Sequence, residues 1–154
     1  MSTLSKRIGR VIPPSRILTR DADRAAYDSD AQTAYRCRAA AVAIPQSKDE
    51  LVAIVQWCHA EAVSFVVRGS GTGLSAGATP ISEGLVIVTT SLNRVRRIDP
   101  QQRVAVVEPG VVNAHVSRTA AEHSLFFAPD PSSQPICTIG GNIGFNAGGA
   151  HCLK

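Results

Sequence analysis

The sequence predicts a mixed α/β (α+β) fold with a partly parallel sheet, organised around two glycine-rich ligand loops. Three observations predict it. Short apolar runs alternate with amphipathic stretches, the pattern of strand–helix–strand units. The capping box Ser47-Lys48-Asp49-Glu50 opens the most regular of those stretches. Glycines crowd into residues 66–77 and 137–149, where the backbone can approach a ligand closely.

The elements follow in order. Residues 1–14 read as a loose arm ending at Pro13-Pro14, and the first 20 residues are basic and contain no acid. Residues 15–27 are weakly helical, with Ile17, Leu18, Ala25 and Ala26 on one side. Residues 28–38 are polar and turn-like, so 1–38 form an arm and helix ahead of a domain over 39–154. The run 39–44 is a buried strand stopped by Pro45. The capping box then starts a helix over about 48–61, carrying Leu51, Ile54, Val55, Cys58 and Ala62 at helical spacing. Strands follow at 63–67, 85–89 and 103–108, the last closed by Pro109-Gly110. Asn113 can cap a helix over 113–123, with Val116 and Ala120 inward. Phe126-Phe127 lead into a rigid turn, Pro129-Asp130-Pro131-Ser132-Ser133.

Bulk properties narrow the function classes. At 154 residues the chain is one domain or a piece of one. An apolar fraction of 44% with 18% charged residues suits a soluble globular protein. No apolar run reaches bilayer length, and a reducing cytoplasmic setting is the expectation. The net charge of +4 is compatible with an anionic ligand, but the cluster Arg94, Arg96, Arg97 and Arg103 reads as a solvated strand pair or turn. Aromatics at 5% are too sparse for a nucleic-acid stacking platform. Cys37, Cys58, Cys137 and Cys152 show no metal spacing and read as free thiols, and no metal site is expected.

The glycine segments carry the chemistry. Gly71, Gly73 and Ala76 match a dinucleotide fingerprint on paper. The context fails it, because Gly77, Pro80, Ser82 and Gly84 leave no space for a helix before the strand at Leu85. Arginines stand where the acidic ribose ligand would be. No Gly-Lys-Ser/Thr closes the segment, which excludes a Walker A loop. A strand–loop–strand unit remains, holding phosphate through its own N–H groups. Arg68, Thr72 and Ser75 add side-chain donors. Two such segments suggest one long ligand touched in two places.

With these residues in view, Arg68-Gly69-Ser70-Gly71-Thr72-Gly73-Leu74-Ser75 resembles the pyrophosphate loop of FAD-linked oxidases of the vanillyl-alcohol oxidase and p-cresol methylhydroxylase (PCMH) type. Pro129-Asp130-Pro131-Ser132-Ser133-Gln134 and the segment 137–154 are similar to the flavoprotein subunit of glycolate oxidase and to D-lactate dehydrogenases. Ala34-Tyr35-Arg36-Cys37-Arg38 and Val107-Glu108-Pro109-Gly110-Val111 fit the same pattern. The resemblance implies a PCMH-type FAD-binding domain, its first lobe complete and its second lobe truncated at the C-terminus, in an N-terminal fragment. It implies non-covalent FAD. Arg68, Gly69, Ser70, Gly71, Thr72 and Gly73 would take the pyrophosphate, and Pro109 and Gly110 would lie near the adenine. Pro129, Asp130, Thr138, Gly140, Gly141, Asn142, Gly144, Asn146 and Gly149 would line the other side. The implied reaction is oxidation of a 2-hydroxy acid, glycolate or D-lactate, to the 2-oxo acid. Partner subunits of a glycolate-oxidase-type complex and a place at the cytoplasmic face of the inner membrane come with the same resemblance. No catalytic residue is assigned; His115, His123 and His151 are candidates by type only. A module that binds nucleotide or anion without catalysis is the alternative. The fragment alone is expected to be inactive.

Overall fold

The structure, a computed structural model, describes residues 3–152. The ends of the arm and of the segment 137–154, residues 1–2 and 153–154, lie outside the described residues. A four-stranded sheet has the order β1 (Ile17–Leu18), β2 (Ala41–Ala43), β4 (Leu85–Val88), β3 (Phe65–Arg68). β2, β4 and β3 are mutually parallel, and β1 lies antiparallel along β2. Parallel strands buried on both faces read as continuous apolar runs, as β4 does, with all four of its residues buried. A second, two-stranded antiparallel sheet pairs β5 (Val95–Asp99) with β6 (Val104–Val107). The arginine cluster therefore lies on a solvated strand pair, with Arg103 in its turn at φ +53°.

Helix α3 (Lys48–Ala60) begins at the predicted Ser47 cap, with Glu50 reaching back one residue further than a standard capping box, to Gln46. Ser47 Oγ accepts from the Glu50 N–H at 3.1 Å, and the Glu50 carboxylate accepts from the Gln46 N–H at 2.8 Å. Its buried stripe is Ile54 and Cys58, flanked by Leu51 and Val55. Ala62 is not part of the stripe: it follows the helix at φ +51° and is exposed.

Three expectations change. The arm is not loose over its described part: α1 (Thr3–Ile8) sends Ile8 into the core beside Ile54 and Ile87, and Ile12 follows it. Spacing of four residues put both on one side, a signal too short to stand out in a basic segment. Residues 15–27 do not form one helix. They divide into a 3-10 turn, edge strand β1, α2 (Asp21–Arg24) and a second 3-10 turn. Asn113 is not the cap of α4 (Asn113–Ala120) but its first helical residue; Val112 precedes it. The Asn113 side chain is fully buried and donates to the Pro129 carbonyl at 3.0 Å, fixing the later turn. Among the described residues no helix is long and apolar enough to cross a membrane.

Candidate functional site

Ligands of parallel α/β sheets gather beyond the carboxyl ends of the strands. Here β3 ends at Arg68, level with Val88 at the end of β4. Residues 69–84 then form the expected loop with no helix in it. Gly71 sits at φ +76°, which only glycine adopts freely. Among the described residues, the N–H groups of Ser70, Gly71, Thr72 and Gly73 donate to no backbone acceptor. Open donors of this kind suit phosphate oxygens.

Arg68 does not project from the loop. Only 8% exposed, its guanidinium folds beneath it and donates to the carbonyls of Ser29 (2.7 Å) and Ala78 (3.4 Å). It also lies over the Tyr27 ring, 5.5 Å from the centroid. Burial pulls its pKa below the ordinary arginine value, and the nearby Asp30 and Tyr27 oppose that shift.

The second segment is a helix, not an open loop. α5 covers Ile139–Phe145, and Thr138 Oγ1 accepts from the Gly141 N–H at 3.3 Å as its N-cap. The first N–H groups of α5 are used internally: Ile139 donates to Val111 and Gly140 to Pro109, at 2.9 and 2.8 Å. A β-carbon on Gly140 would stand 2.8 Å from Pro109, so glycine permits this close crossing. The helix ends at Asn146 in the left-handed region. Gly149, at φ +81°, pairs with Asp130 in an isolated parallel bridge. Asp130 Oδ2 stands 2.6 Å from His151 Nδ1. Burial pushes the Asp130 carboxyl up, but the His151 N–H, ring and charge outweigh it, and its pKa lies below the usual value.

The fold brings the two glycine segments together. A β-carbon on Gly69 would overlap Thr138 Oγ1, and one on Gly73 would overlap the Phe145 ring. A cavity of about 300 Å³ joins Ser70, Gly110 and Thr138 with Thr90, Asn93, Val112, His115 and Ile136. A more apolar one, about 340 Å³, lies between α5 and the second sheet. It collects Pro129, Asn142 and Asn146 from the predicted set, beside Val107, Val116, Phe127 and Ile143. Asn142 lines this cleft, and its buried Nδ2 has no hydrogen-bond partner. Gly144 has nothing within 4 Å of its β-carbon position. The donor set fits a long cofactor with phosphate at one end: open N–H groups, small residues at the crossing, and an unpaired amide.

Sequence reasoning missed Thr90, Asn93 and Asp30, and named His115 by type alone. Thr90 and Asn93 follow β4, whose parallel pairing with β3 brings them to the loop. The strand-end rule was the available signal.

This geometry suits a domain that holds a long phosphate-bearing cofactor, and comparison with known proteins identifies the class. The FAD binding domain family matches residues 39–154. The chain belongs to that family, and FAD is its cofactor. It is 44% identical over 143 residues to glycolate oxidase subunit GlcD of Escherichia coli (strain K12), covering 93% of this chain and 29% of that one. It is 34% identical over 145 residues to D-2-hydroxyglutarate dehydrogenase of Stutzerimonas stutzeri, covering 94% and 31%. The structure of p-cresol methylhydroxylase with substrate bound superposes with a TM-score of 0.74 at 17% identity, covering 90% and 28%. The fold is therefore of the PCMH type. The chain spans about three-tenths of the length of these relatives.

Proposed function

We propose that this chain is the FAD-holding part of an oxidoreductase that converts a 2-hydroxy acid, glycolate or D-lactate, to the 2-oxo acid. The observation that carries the reading is the set of open N–H groups at Ser70–Gly73, facing no backbone acceptor and set beside the cavity lined by Ser70, Gly110 and Thr138. The names of the relatives, glycolate oxidase subunit and D-2-hydroxyglutarate dehydrogenase, support the substrate class. In this reading Gly69–Gly73 hold the pyrophosphate and Pro109 and Gly110 stand at the adenine end. Thr138, Gly140, Gly141, Asn142, Gly144, Asn146 and Gly149, with Pro129 and Asp130, form the opposite wall. FAD supplies the two-electron oxidation; these residues bind it, orient it and exclude water. Attachment is non-covalent: the first loop has no histidine, and the Cys137 residue is only 2% exposed. The reaction takes place in the cytoplasm, with partner subunits like those of glycolate oxidase.

The test is FAD loading of this chain joined to the remainder of a glycolate oxidase subunit, read by flavin absorbance after removal of free cofactor; the 154-residue chain alone is expected to bind flavin weakly. Wild type is expected to retain flavin and Gly71→Val to lose most of it, because valine disfavours φ +76° and its β-carbon would overlap the Arg68 guanidinium. Equal retention by both would place the anion site elsewhere.

A further inference from the structure

Two buried charges, one of them named with the pyrophosphate set from the sequence, meet at one place. Asp30 is 5% exposed and Arg68 is 8% exposed. Charges this deep persist only when their hydrogen-bonding capacity is met. Asp30 Oδ1 accepts from the Gln32 N–H at 2.8 Å, making a local turn. Asp30 Oδ2 accepts from the Ala78 N–H at 3.3 Å. Arg68 Nη1 donates to the Ala78 carbonyl and to Ser29, in the same turn as Asp30. Both backbone groups of Ala78 are thus held, one by each charge. Between them the Ala31 N–H donates to the Gly71 carbonyl at 2.9 Å. The stretch 28–32 therefore grips the glycine loop at its middle and at its exit, while Arg68 anchors its entry from β3.

We propose that Asp30 and Arg68 are positioning residues for FAD binding, and that Arg68 supports the pyrophosphate loop from beneath instead of touching phosphate. The proposal rests on the reading of residues 69–73 as the pyrophosphate site. With the Gly71 carbonyl drawn toward Ala31, the loop's N–H groups are left free for the ligand. To reach a phosphate directly, the guanidinium would have to leave two carbonyls and the Tyr27 face. Nη1 serves both carbonyls while the guanidinium plane lies over the Tyr27 ring, and it is this plane that arginine supplies and lysine lacks. Lysine keeps the charge but not that geometry. Asp30→Asn keeps an oxygen for the Gln32 turn but presents an NH2 group to the Ala78 N–H, so it releases the loop selectively.

Hydrogen exchange of the ligand-free 154-residue chain and calorimetric titration with ADP test this together. Asp30→Asn is expected to speed exchange at 70–78 at least tenfold while β2 and β4 amides keep wild-type rates, and to weaken ADP at least tenfold. Arg68→Lys is expected to weaken ADP as much as Arg68→Met. Arg68→Lys binding ADP like wild type would overturn the supporting role in favour of direct charge contact. Faster exchange spread evenly over the sheet would reduce Asp30 to a general stability residue and overturn its positioning role. Local exchange in Asp30→Asn together with a wild-type chain that takes no ADP would overturn the pyrophosphate reading, and with it the functional half of the proposal.

Discussion

The ring of Phe145, the last residue of α5, occupies the space a β-carbon on Gly73 would need. The two glycine-rich segments, 60 residues apart in sequence, are thereby in contact. Side-chain-free positions here accommodate three different neighbours: a ring, a hydroxyl and a backbone.

Alanine at these glycines should destabilise in the order Gly110, Gly69, Gly73. A β-carbon on Gly110 would meet the Thr89 and Leu92 carbonyls and the Thr90 Cα, none of which can swing aside. A cost of about 3 kcal/mol or more is expected, the range of severe backbone clashes. Gly69→Ala displaces the Thr138 hydroxyl from its capping position, about 1 kcal/mol. Gly73→Ala only pushes aside a half-exposed ring and should cost under about 1 kcal/mol. Urea unfolding of the three variants gives the order, and a Gly73 variant weaker than the Gly110 one would contradict it.

Stability should fall on acidification through Glu108. The Arg94 N–H, at 3.0 Å, is the largest cause of its lowered pKa; burial opposes it, and the Arg96 guanidinium at 2.7 Å adds to the lowering. A depressed carboxylate contributes stability above its unfolded pKa, about 4.3, which is lost as pH falls through the lower folded value. Unfolding free energies across the acid range are expected to drop for wild type and to fall less steeply for Glu108→Gln. Arg96→Ala removes a mostly exposed partner and should cost no more than about 1 kcal/mol at neutral pH.

Thiol reactivity should divide by burial. Burial raises the Cys58 thiol to about 11 and leaves it 1% exposed, so it is inert at pH 8. Cys137 is likewise buried, while Cys152 is exposed. Titration with an aromatic disulfide reagent should show a fast phase that Cys152→Ser abolishes, a slower phase from the half-buried Cys37, and two thiols that react only after unfolding. A fast phase that survives that substitution would place the accessible thiol elsewhere.

The isolated chain should self-associate and turn over neither glycolate nor D-lactate. Ile136 and Ile143 are 60% and 77% exposed, and Phe145 is 40% exposed. Ile139, on the same short helix, is buried against Val111 and Val116. Light scattering should report a mass above 16.2 kDa that Ile143→Glu shifts toward the monomer. Turnover of either acid by the pure 154-residue chain would contradict the expectation of inactivity.

The sequence by itself determined the local elements and the cofactor class. The capping box, the apolar runs and the crowding of Pro and Gly before Leu85 place α3, β2, β3, β4 and β6, and keep a helix out of residues 72–82. These are signals between near neighbours, and near neighbours are what a sequence displays. Tertiary structure alone decided the rest. It made residues 139–145 a helix, because the carbonyls of Val111 and Pro109 receive N–H groups of its first turn that would otherwise stand open. It brought Thr90 and Asn93 to the loop through parallel pairing of β3 and β4. It turned Arg68 and Asp30 inward, because an N–H and a carbonyl of one residue, Ala78, needed partners that only a stretch some 48 residues upstream and the strand end could supply. Burial joins such groups without regard to distance along the chain, so their roles have no pattern in the sequence.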